Sequence, residues 1–531
     1  MEFQLTGKQL IAGQWIASGN QSLAAVDPAT GGMLEPKFVH ATEAEVDAVM
    51  QAAVRAFAVT CRLSAGQRVQ LLEAISSQIL ALRNELCQRA KTETALPLKR
   101  LESELDRTAK QLALYAGMLR EGSWVDATID TAEPQRAPAP KPDLRRMNRP
   151  IGPVAVFGAG NFPFAYGACG GDTASVLAAG CPVVVKAHER HPGVNELFGH
   201  AVLAALKQCD LPTEIFGLVQ GPGATVGQAL VEHPATQAVG FTGSKRAGRA
   251  LFDIAAARPK PIPVFAEMGS LNPVVILPGA IVERSESIAD GLARSITDGV
   301  GQFCTKPGFV FVIDSEATDR FVSQLVQKMC AVTATTMLAA DMRNNFCAAT
   351  DAFQKVRGVK CLLSGQPSGF AEMAPRLFEA DSATWRAHGE LHEEIFGPGA
   401  IIVRCRDLAD LHESLEQAES HLTAALHFGA IDAETDVRVL AQMLEQHAGR
   451  VIFNGYPTGV EVCHAMVHGG PYPATTAPNT SSVGALAIRR FVRPVSYQNM
   501  PDEMLPPELQ NANPLGLWRT VNGNWTREAI R

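Results

Sequence analysis

From Ile151 onward the chain alternates short, unbroken apolar runs with longer segments of helical spacing. Pro153-Val-Ala-Val-Phe157, Pro182-Val-Val-Val-Lys186, Ile215 to Gln220, Gln237 to Thr242 and Ile262 to Glu267 read as buried strands. Between them lie helical patterns ending at Ala179, running from about Gly193 to Gln208, from about Ala224 to Glu232, and from Arg246 to Ala257. Strands and helices alternating this regularly predict parallel βαβ units and a doubly wound α/β sheet. Ligands of such sheets bind at the carboxyl ends of the strands. Asn161, Lys186, Gln220, Thr242 and Glu267 all fall at or just after predicted strand ends, so all five are expected to face one crevice.

The flanking regions have a different character. Residues 8 to 40 read as short strands and turns, and Thr42-Glu-Ala-Glu45 has capping-box spacing before a helix. Helical patterns over Gly66 to Lys91 and Leu98 to Leu119 are expected to serve packing alone. Residues 131 to 142 are proline-rich and extended, a linker or the tip of an arm. Residues 274 to 465 carry a second set of mixed α/β signals, with strands near Phe309 to Ile313 and Ala400 to Arg404. The tail adds a strand pattern at Ala485 to Phe491 and no long helix.

Composition narrows the class. A chain of 531 residues exceeds one ordinary core, so two or three domains are expected. A formal net charge of -7 gives no reason to expect nucleic acid or an anionic membrane surface as partner. The first ten residues lack the order of a signal peptide, and no apolar run suffices for a bilayer. Eleven cysteines are scattered without a C-x-x-C pair, which suggests neither a disulfide framework nor a zinc site and fits a reduced cytoplasm.

The stretch Asp298-Gly-Val-Gly-Gln-Phe-Cys-Thr-Lys-Pro-Gly308 sets Cys304 in a glycine-punctuated turn directly after a helical run from Glu283 to Thr297. A thiol there is a candidate nucleophile, against the alternative of a buried structural cysteine. Glu267 ends an apolar strand. Desolvation is expected to raise its pKa toward neutrality, where a general base works best; the alternative is a capping or salt-bridged glutamate. Asn161 lies in a sharp strand-to-helix turn, where its amide can donate to an oxyanion or serve only the turn. Gly221-Pro-Gly223 with Gly227, and Phe241-Thr-Gly-Ser-Lys-Arg246, offer two glycine turns at helix starts suited to phosphate. The thirteen histidines show no ligand cluster in sequence, and His188 and His191 read as surface or capping residues. No metal is expected.

Seven motifs in order connect these pieces: Gly160-Asn-Phe-Pro163, Val185-Lys186, Gly221-Pro-Gly223, Phe241-Thr-Gly-Ser244, Phe265-Ala-Glu-Met-Gly269, Gly301-Gln-Phe-Cys304 and Glu393-Glu-Ile-Phe-Gly-Pro398. By them the chain resembles the aldehyde dehydrogenase superfamily from about Leu5 to Arg493. Asn454 to Cys463, His468 to Ala474 and the extension Pro514-Leu-Gly-Leu-Trp-Arg519 look like the branch of the 2-oxoglutarate semialdehyde dehydrogenases. The NADP-dependent long-chain (fatty) aldehyde dehydrogenase of luminous bacteria belongs to the same branch.

The resemblance implies that Cys304 attacks the aldehyde carbon while the Asn161 amide and the Cys304 N–H hold the oxyanion. Hydride then passes to the nicotinamide, and Glu267 activates the water that hydrolyses the thioester. It also implies cofactor contacts at Lys186, Glu189, Gly221, Gly243, Ser244, Glu394 and Phe396. Glu189 sits where the adenosine 2′ group is probed, which favours NAD over NADP.

The implied architecture is a dinucleotide-binding domain of residues 1–122 and 147–266 and a catalytic domain of residues 267–465. Residues 123–146 and 466–531 would form an oligomerisation arm and C-terminal extension of a homodimer or homotetramer. The implied substrate is 2,5-dioxopentanoate, the semialdehyde of 2-oxoglutarate, with Arg294 and the Pro457-Thr458-Gly459 turn as candidates for its far carboxylate. A medium- or long-chain aliphatic aldehyde is the alternative. A CoA-acylating enzyme would have no use for Glu267, and a non-catalytic cofactor-binding protein would not need Cys304, Glu267 and Asn161 together. Two departures stand out: Ala159-Gly160 where Pro-Trp is frequent, and Glu267-Met-Gly-Ser270 where Glu-Leu-Gly-Gly is usual.

Overall fold

The structure, a computed structural model, describes residues 4–530. Two seven-stranded sheets dominate it. In the first, the strand order is Val264–Glu267, Ala238–Thr242, Val154–Phe157, Val183–Lys186, Phe216–Val219, Gln9–Ile11 and Gln14–Ile16. The five strands from Val154 to Glu267 run parallel, and the N-terminal hairpin closes one edge antiparallel. These five strands are apolar and almost wholly buried because helices cover both faces. The second sheet orders Lys360–Ser364, Arg376–Asp381, Gly399–Cys405, Phe309–Ile313, Val274–Ile276, His421–His427 and Ala448–Phe453. It is parallel except for its Lys360–Ser364 edge.

A third, five-stranded sheet joins Val492–Gln498, Leu144–Pro150, Thr128–Asp130, Arg519–Val521 and Asn524–Thr526. The proline-rich segment is the exposed tip between two of its strands, closed by a bridge from Glu133 to Lys141.

Local signals account for many boundaries. Thr42 and Glu45 form the reciprocal capping box at the start of Glu43–Thr60. Pro192 opens the helix Pro192–Gln208, where its missing N–H costs nothing.

Three expectations are corrected. The helical run predicted over Gly66 to Lys91 is two helices, Ala65–Ala81 and Arg83–Thr94, separated at Leu82, whose backbone leaves the helical region. Ala485–Phe491 is a 3₁₀ helix rather than a strand. Its buried residues Ala487, Ile488, Arg490 and Phe491 recur at helical intervals, and the strand begins only at Val492. The segment from Ala224 opens as a π-helical turn, Gly223–Gly227, before the short helix Gln228–Glu232.

The turn that carries Cys304 follows the helix Pro278–Thr297 and contains three successive left-handed residues, Gly299, Val300 and Gly301, at φ of 56, 57 and 65°. A β-branched residue in this region is strained, so packing must hold Val300 there. A Cβ on Gly301 would meet the Gly397 carbonyl oxygen at 2.1 Å, which no flexible side chain can relieve. Gly301→Ala is therefore expected to destabilise the protein by about 2 kcal/mol or more. Gly117, exposed in the helix Leu98–Glu121 with nothing within 4 Å of its Cβ position, is the matched control. Gly117→Ala should stabilise by about 0.5–1 kcal/mol. Thermal unfolding of the two variants beside the parent checks both signs.

Candidate active site

The carboxyl ends of the first sheet open into a cleft of about 830 Å³. Of the residues singled out in sequence, Asn161, Lys186, Gly243, Ser244, Glu267, Cys304, Glu394 and Phe396 line it. Thr242 lines it as well, with its hydroxyl buried and unpartnered. Gln220 is not among the lining residues: it is 1 % exposed, and its backbone N–H donates to Gln9 Oε1 at 2.7 Å.

Gly221 also lies outside the lining. Its φ of 129° serves the turn, and a Cβ there would strike Val226. Gly223 takes the lining position instead. Glu189 borders a neighbouring cavity, and one of its carboxylate oxygens accepts from Lys186 Nζ at 3.1 Å and from the Gly223 N–H at 3.0 Å.

Ser244 caps the helix Lys245–Ala257, accepting from the Ala247 N–H, so this helix presents its N-terminal end to the cleft. Free amides and the positive end of a helix suit a pyrophosphate. The orphaned Thr242 hydroxyl and the open space around Gly223 leave room for a dinucleotide along the same wall.

Cys304 is half-buried, and its sulfur lies 3.5 Å from His468 Nε2. The same nitrogen is 3.1 Å from Glu267 Oε1, while the Ser482 hydroxyl donates to Glu267 Oε2 at 2.8 Å. Sequence reasoning did not single out His468 as a site residue. It arrives on a loop 164 positions from Cys304, and pairing brings it there: the Met268 N–H donates to the Ala474 carbonyl, the Thr476 N–H to the Ala266 carbonyl, and Glu267 bridges Thr475.

The electrostatics run against the expectation for Glu267. Burial pushes its carboxyl up, but the His468 charge and hydrogen bond, with the Ser482 donor, outweigh burial and hold it below its ordinary value. Cys304 moves the other way: burial, then the Glu267 charge, push its thiol well above the ordinary range. Apart from any ligand, the pair rests as thiol and carboxylate.

The oxyanion candidate is not idle. Asn161 Nδ2 donates to the Gln302 carbonyl at 2.9 Å, leaving its second hydrogen available. The Asn161 carbonyl accepts from Arg100 at 2.8 Å, and the Arg100 guanidinium lies 4.9 Å from the Phe162 and Phe303 ring centres. Glu104 accepts from the Phe164 and Ala165 N–H groups at 2.8 and 3.0 Å. The helix Leu98–Glu121, expected to serve packing alone, thus anchors the Asn161 loop.

On the other side, Asn272 Nδ2 donates to the Cys304 and Lys306 carbonyls at 2.8 and 3.0 Å. Lys306 Nζ, buried, donates to the Ile395 and Gly399 carbonyls at 3.0 and 2.8 Å and so ties down the loop that carries Glu394 and Phe396. Burial raises the Glu394 carboxyl and lowers the Lys306 ammonium.

Both departures from the family pattern have a place. A Cβ on Gly160 would lie 2.6 Å from His188 Cε1, so no tryptophan fits here. The Ser270 hydroxyl donates to Asn272 Oδ1 at 2.8 Å and accepts from the Leu422 N–H at 2.9 Å, so it is part of the scaffold. Of the two expectations for His191, surface or cap, the surface one fails: it stands at the N-cap of Pro192–Gln208 but is fully buried, its Nε2 at 3.0 Å from the Ala159 carbonyl. Arg294 is exposed and paired with Asp290, away from the cleft lining, and Thr458 turns to Ser295.

A cleft that sets a thiol, a carboxylate and an amide donor beside a wall with room for a dinucleotide, on a doubly wound sheet, suits a dinucleotide-dependent dehydrogenase. The chain belongs to the aldehyde dehydrogenase family, whose sequence profile matches residues 15–472. It is accordingly an NAD(P)-dependent enzyme that oxidises an aldehyde.

Among its relatives, alpha-ketoglutaric semialdehyde dehydrogenase 2 of Azospirillum brasilense is 46% identical over 522 residues, covering 98% of this chain and 99% of the relative. The alpha-ketoglutaric semialdehyde dehydrogenase of Acinetobacter baylyi is 44% identical over 529 residues, with 98% and 99% covered. A solved structure of the aldehyde dehydrogenase KauB from Pseudomonas aeruginosa superposes with a TM-score of 0.80 at 19% identity, covering 94% of this chain and 97% of that one.

The opposed shifts of Cys304 and Glu267 give a direct test. Glu267→Gln removes the charge that holds the thiol up, so the thiolate fraction at pH 8 rises. Each unit by which the thiol pKa falls speeds alkylation at Cys304 by about tenfold. Iodoacetamide labelling followed by mass spectrometry, with Cys304→Ala as the blank, measures this; an unchanged rate would show that the carboxylate does not govern the thiol.

Proposed function

We propose that this enzyme oxidises 2,5-dioxopentanoate to 2-oxoglutarate, with Cys304 as nucleophile and Glu267 as base. The observation that carries the reading is the placement of His468 Nε2 between Cys304 Sγ and Glu267 Oε1, at 3.5 and 3.1 Å. A thiol held above its ordinary pKa needs a route for its proton, and the carboxylate held below its own, beside the same ring, can take it. As the sulfur attacks the aldehyde carbon, the thiol proton passes directly to Glu267, with His468 holding the two groups side by side. The free hydrogen of Asn161 Nδ2 and the Cys304 N–H receive the oxygen that gains charge. Once that proton has left to solvent through the cleft, the Glu267 carboxylate draws a proton from the water that frees the acyl group from sulfur.

When bound, the nicotinamide supplies the hydride acceptor. Ser244 and the amides at the start of Lys245–Ala257 would hold its pyrophosphate, Lys186 and Glu189 the adenosine ribose, and Glu394 the nicotinamide ribose. Glu189 also supports a preference for NAD. A 2′-phosphate would face its carboxylate, while the nearby Arg190 is already paired with Asp341 and burial holds His188 well below its ordinary pKa.

The substrate assignment rests on the two relatives above 40% identity and on Arg107. Its Nε donates to the Val460 carbonyl at 3.2 Å, and its guanidinium lies 5.5 Å from the centre of the Tyr166 ring. It borders a second cavity with Val460 and Glu461 and makes no ion pair among the described residues. Its charge is felt at Cys304, where it opposes, as the smallest of the influences there, the upward shift of the thiol. A cation near the nucleophile with donors to spare suits the far carboxylate of a dioxo acid.

Self-association is part of the reading. The five-stranded sheet ends at Asn524–Thr526, beside Trp518 and Trp525, which stand 40% and 56% exposed, an edge and a surface that a second copy would cover. Light scattering should return a dimer or a tetramer, and a monomer at all concentrations would overturn this part.

The functional test is reduced-nicotinamide formation with 2,5-dioxopentanoate and with a long-chain aldehyde, each with NAD and NADP. The dioxo acid and NAD should be preferred, and Cys304→Ala should abolish turnover. Arg107→Leu should raise KM for the dioxo acid by roughly tenfold or more while sparing the long-chain aldehyde. A preference for the long-chain aldehyde would keep the chemistry and overturn the substrate.

A further inference from the structure

Cys304 Sγ, His468 Nε2 and a Glu267 carboxylate oxygen all lie within 4.8 Å of one another, and Cys304 and Glu267 line the cleft. Thiolate, imidazole and carboxylate are the donors that zinc takes in tetrahedral sites. With zinc bonds of about 2.3 Å to sulfur and about 2.0–2.1 Å to nitrogen or oxygen, tetrahedral edges are about 3.6 Å for S···N and about 3.4 Å for N···O. The corresponding separations here are 3.5 and 3.1 Å. Two of the three edges are thus already near those of a tetrahedral site, and the third lies within 4.8 Å.

We propose that these three residues form an inhibitory zinc site, in which a divalent zinc ion closes the active centre by capturing its nucleophile. Binding replaces the S–H bond of Cys304 with an S–Zn bond and releases that proton to solvent; nothing is oxidised or reduced. Three protein ligands leave the fourth position open toward the cleft, where Cys304 and Glu267 are exposed to it and water completes the shell.

The site is built for reversible occupancy rather than a resident ion. Ligating histidines usually donate their other ring nitrogen to an orienting partner, and His468 Nδ1 is buried with none. The sequence pattern gave no sign of zinc because the ligands come from positions 267, 304 and 468, a strand end, a turn and a distant loop. The proposal rests on the same three residues as the catalytic reading, but its readout does not.

The first measurement is metal binding by the full-length protein without cofactor or aldehyde, by equilibrium dialysis against zinc and by titration with cobalt(II) as a spectroscopic stand-in. One zinc per chain is expected. Cobalt should give a thiolate-to-metal charge-transfer band and strong tetrahedral visible bands. Cys304→Ala should lose the charge-transfer band. His468→Asn should weaken zinc by more than the roughly 10–100-fold that loss of an outer-shell partner costs. A variant lacking the two exposed thiols, Cys330→Ser with Cys361→Ser, should bind zinc as the parent does.

In turnover assays zinc should inhibit and a chelator should restore activity, whereas magnesium, which prefers oxygen donors, should not inhibit. Zinc retained undiminished in both Cys304→Ala and His468→Asn, or lost with Cys330 and Cys361, would place the metal elsewhere and overturn the proposal. So would the absence of stoichiometric binding in a parent protein that turns over aldehyde normally, a result that leaves the catalytic reading standing.

Discussion

One buried side chain fixes where the reactive sulfur can be. Asn272, wholly buried and left-handed at φ 45°, donates to the Cys304 and Lys306 carbonyls and accepts from the Ser270 and Thr423 hydroxyls at 2.8 and 2.9 Å. Through it the Cys304 turn, the end of the first sheet and a strand of the second share a single hydrogen-bonded hub. Buried carbonyls left without donors cost about 1–3 kcal/mol each, so the turn has little freedom to sit elsewhere. The left-handed run before Cys304 completes the constraint, because Gly301 lies against the Gly397 carbonyl and sets the Glu394 loop at the same height.

From that constraint the electrostatics follow. A thiol and a carboxylate held together out of water cannot both ionise freely, and the structure resolves the conflict by lowering one group and raising the other. The Ser482 donor, with the His468 ring 3.1 Å away, makes the carboxylate the cheaper charge to bury. The thiol therefore stays protonated until something lowers its pKa or takes its proton, which protects a reactive sulfur from oxidation at rest.

The support for this centre comes from far along the chain. Arg100 and Glu104 hold the Asn161 loop from the helix Leu98–Glu121, Lys306 holds the Glu394 loop, and residues 474–476 hold the His468 loop against the strand that ends in Glu267. None of these has a signature of its own. A lysine after a proline-free turn, or an arginine on an amphipathic helix, reads as surface until its partner is known.

The sequence by itself determined the alternation of strands and helices, the capping of Glu43–Thr60, and the placing of Asn161, Lys186, Thr242 and Glu267 at strand ends that open on one cleft. Each of these is a short-range matter of apolar period, turn chemistry and cap spacing. It also exposed Cys304 as the thiol in a glycine turn, because glycines mark where backbone must bend tightly. Only the tertiary structure decided that Gln220 and Gly221 stand behind the wall, that the Glu267 carboxyl is depressed rather than raised, and that His468 joins it to the sulfur. Those outcomes depend on contacts between residues hundreds of positions apart, and desolvation and partner charges have no period to read along a chain.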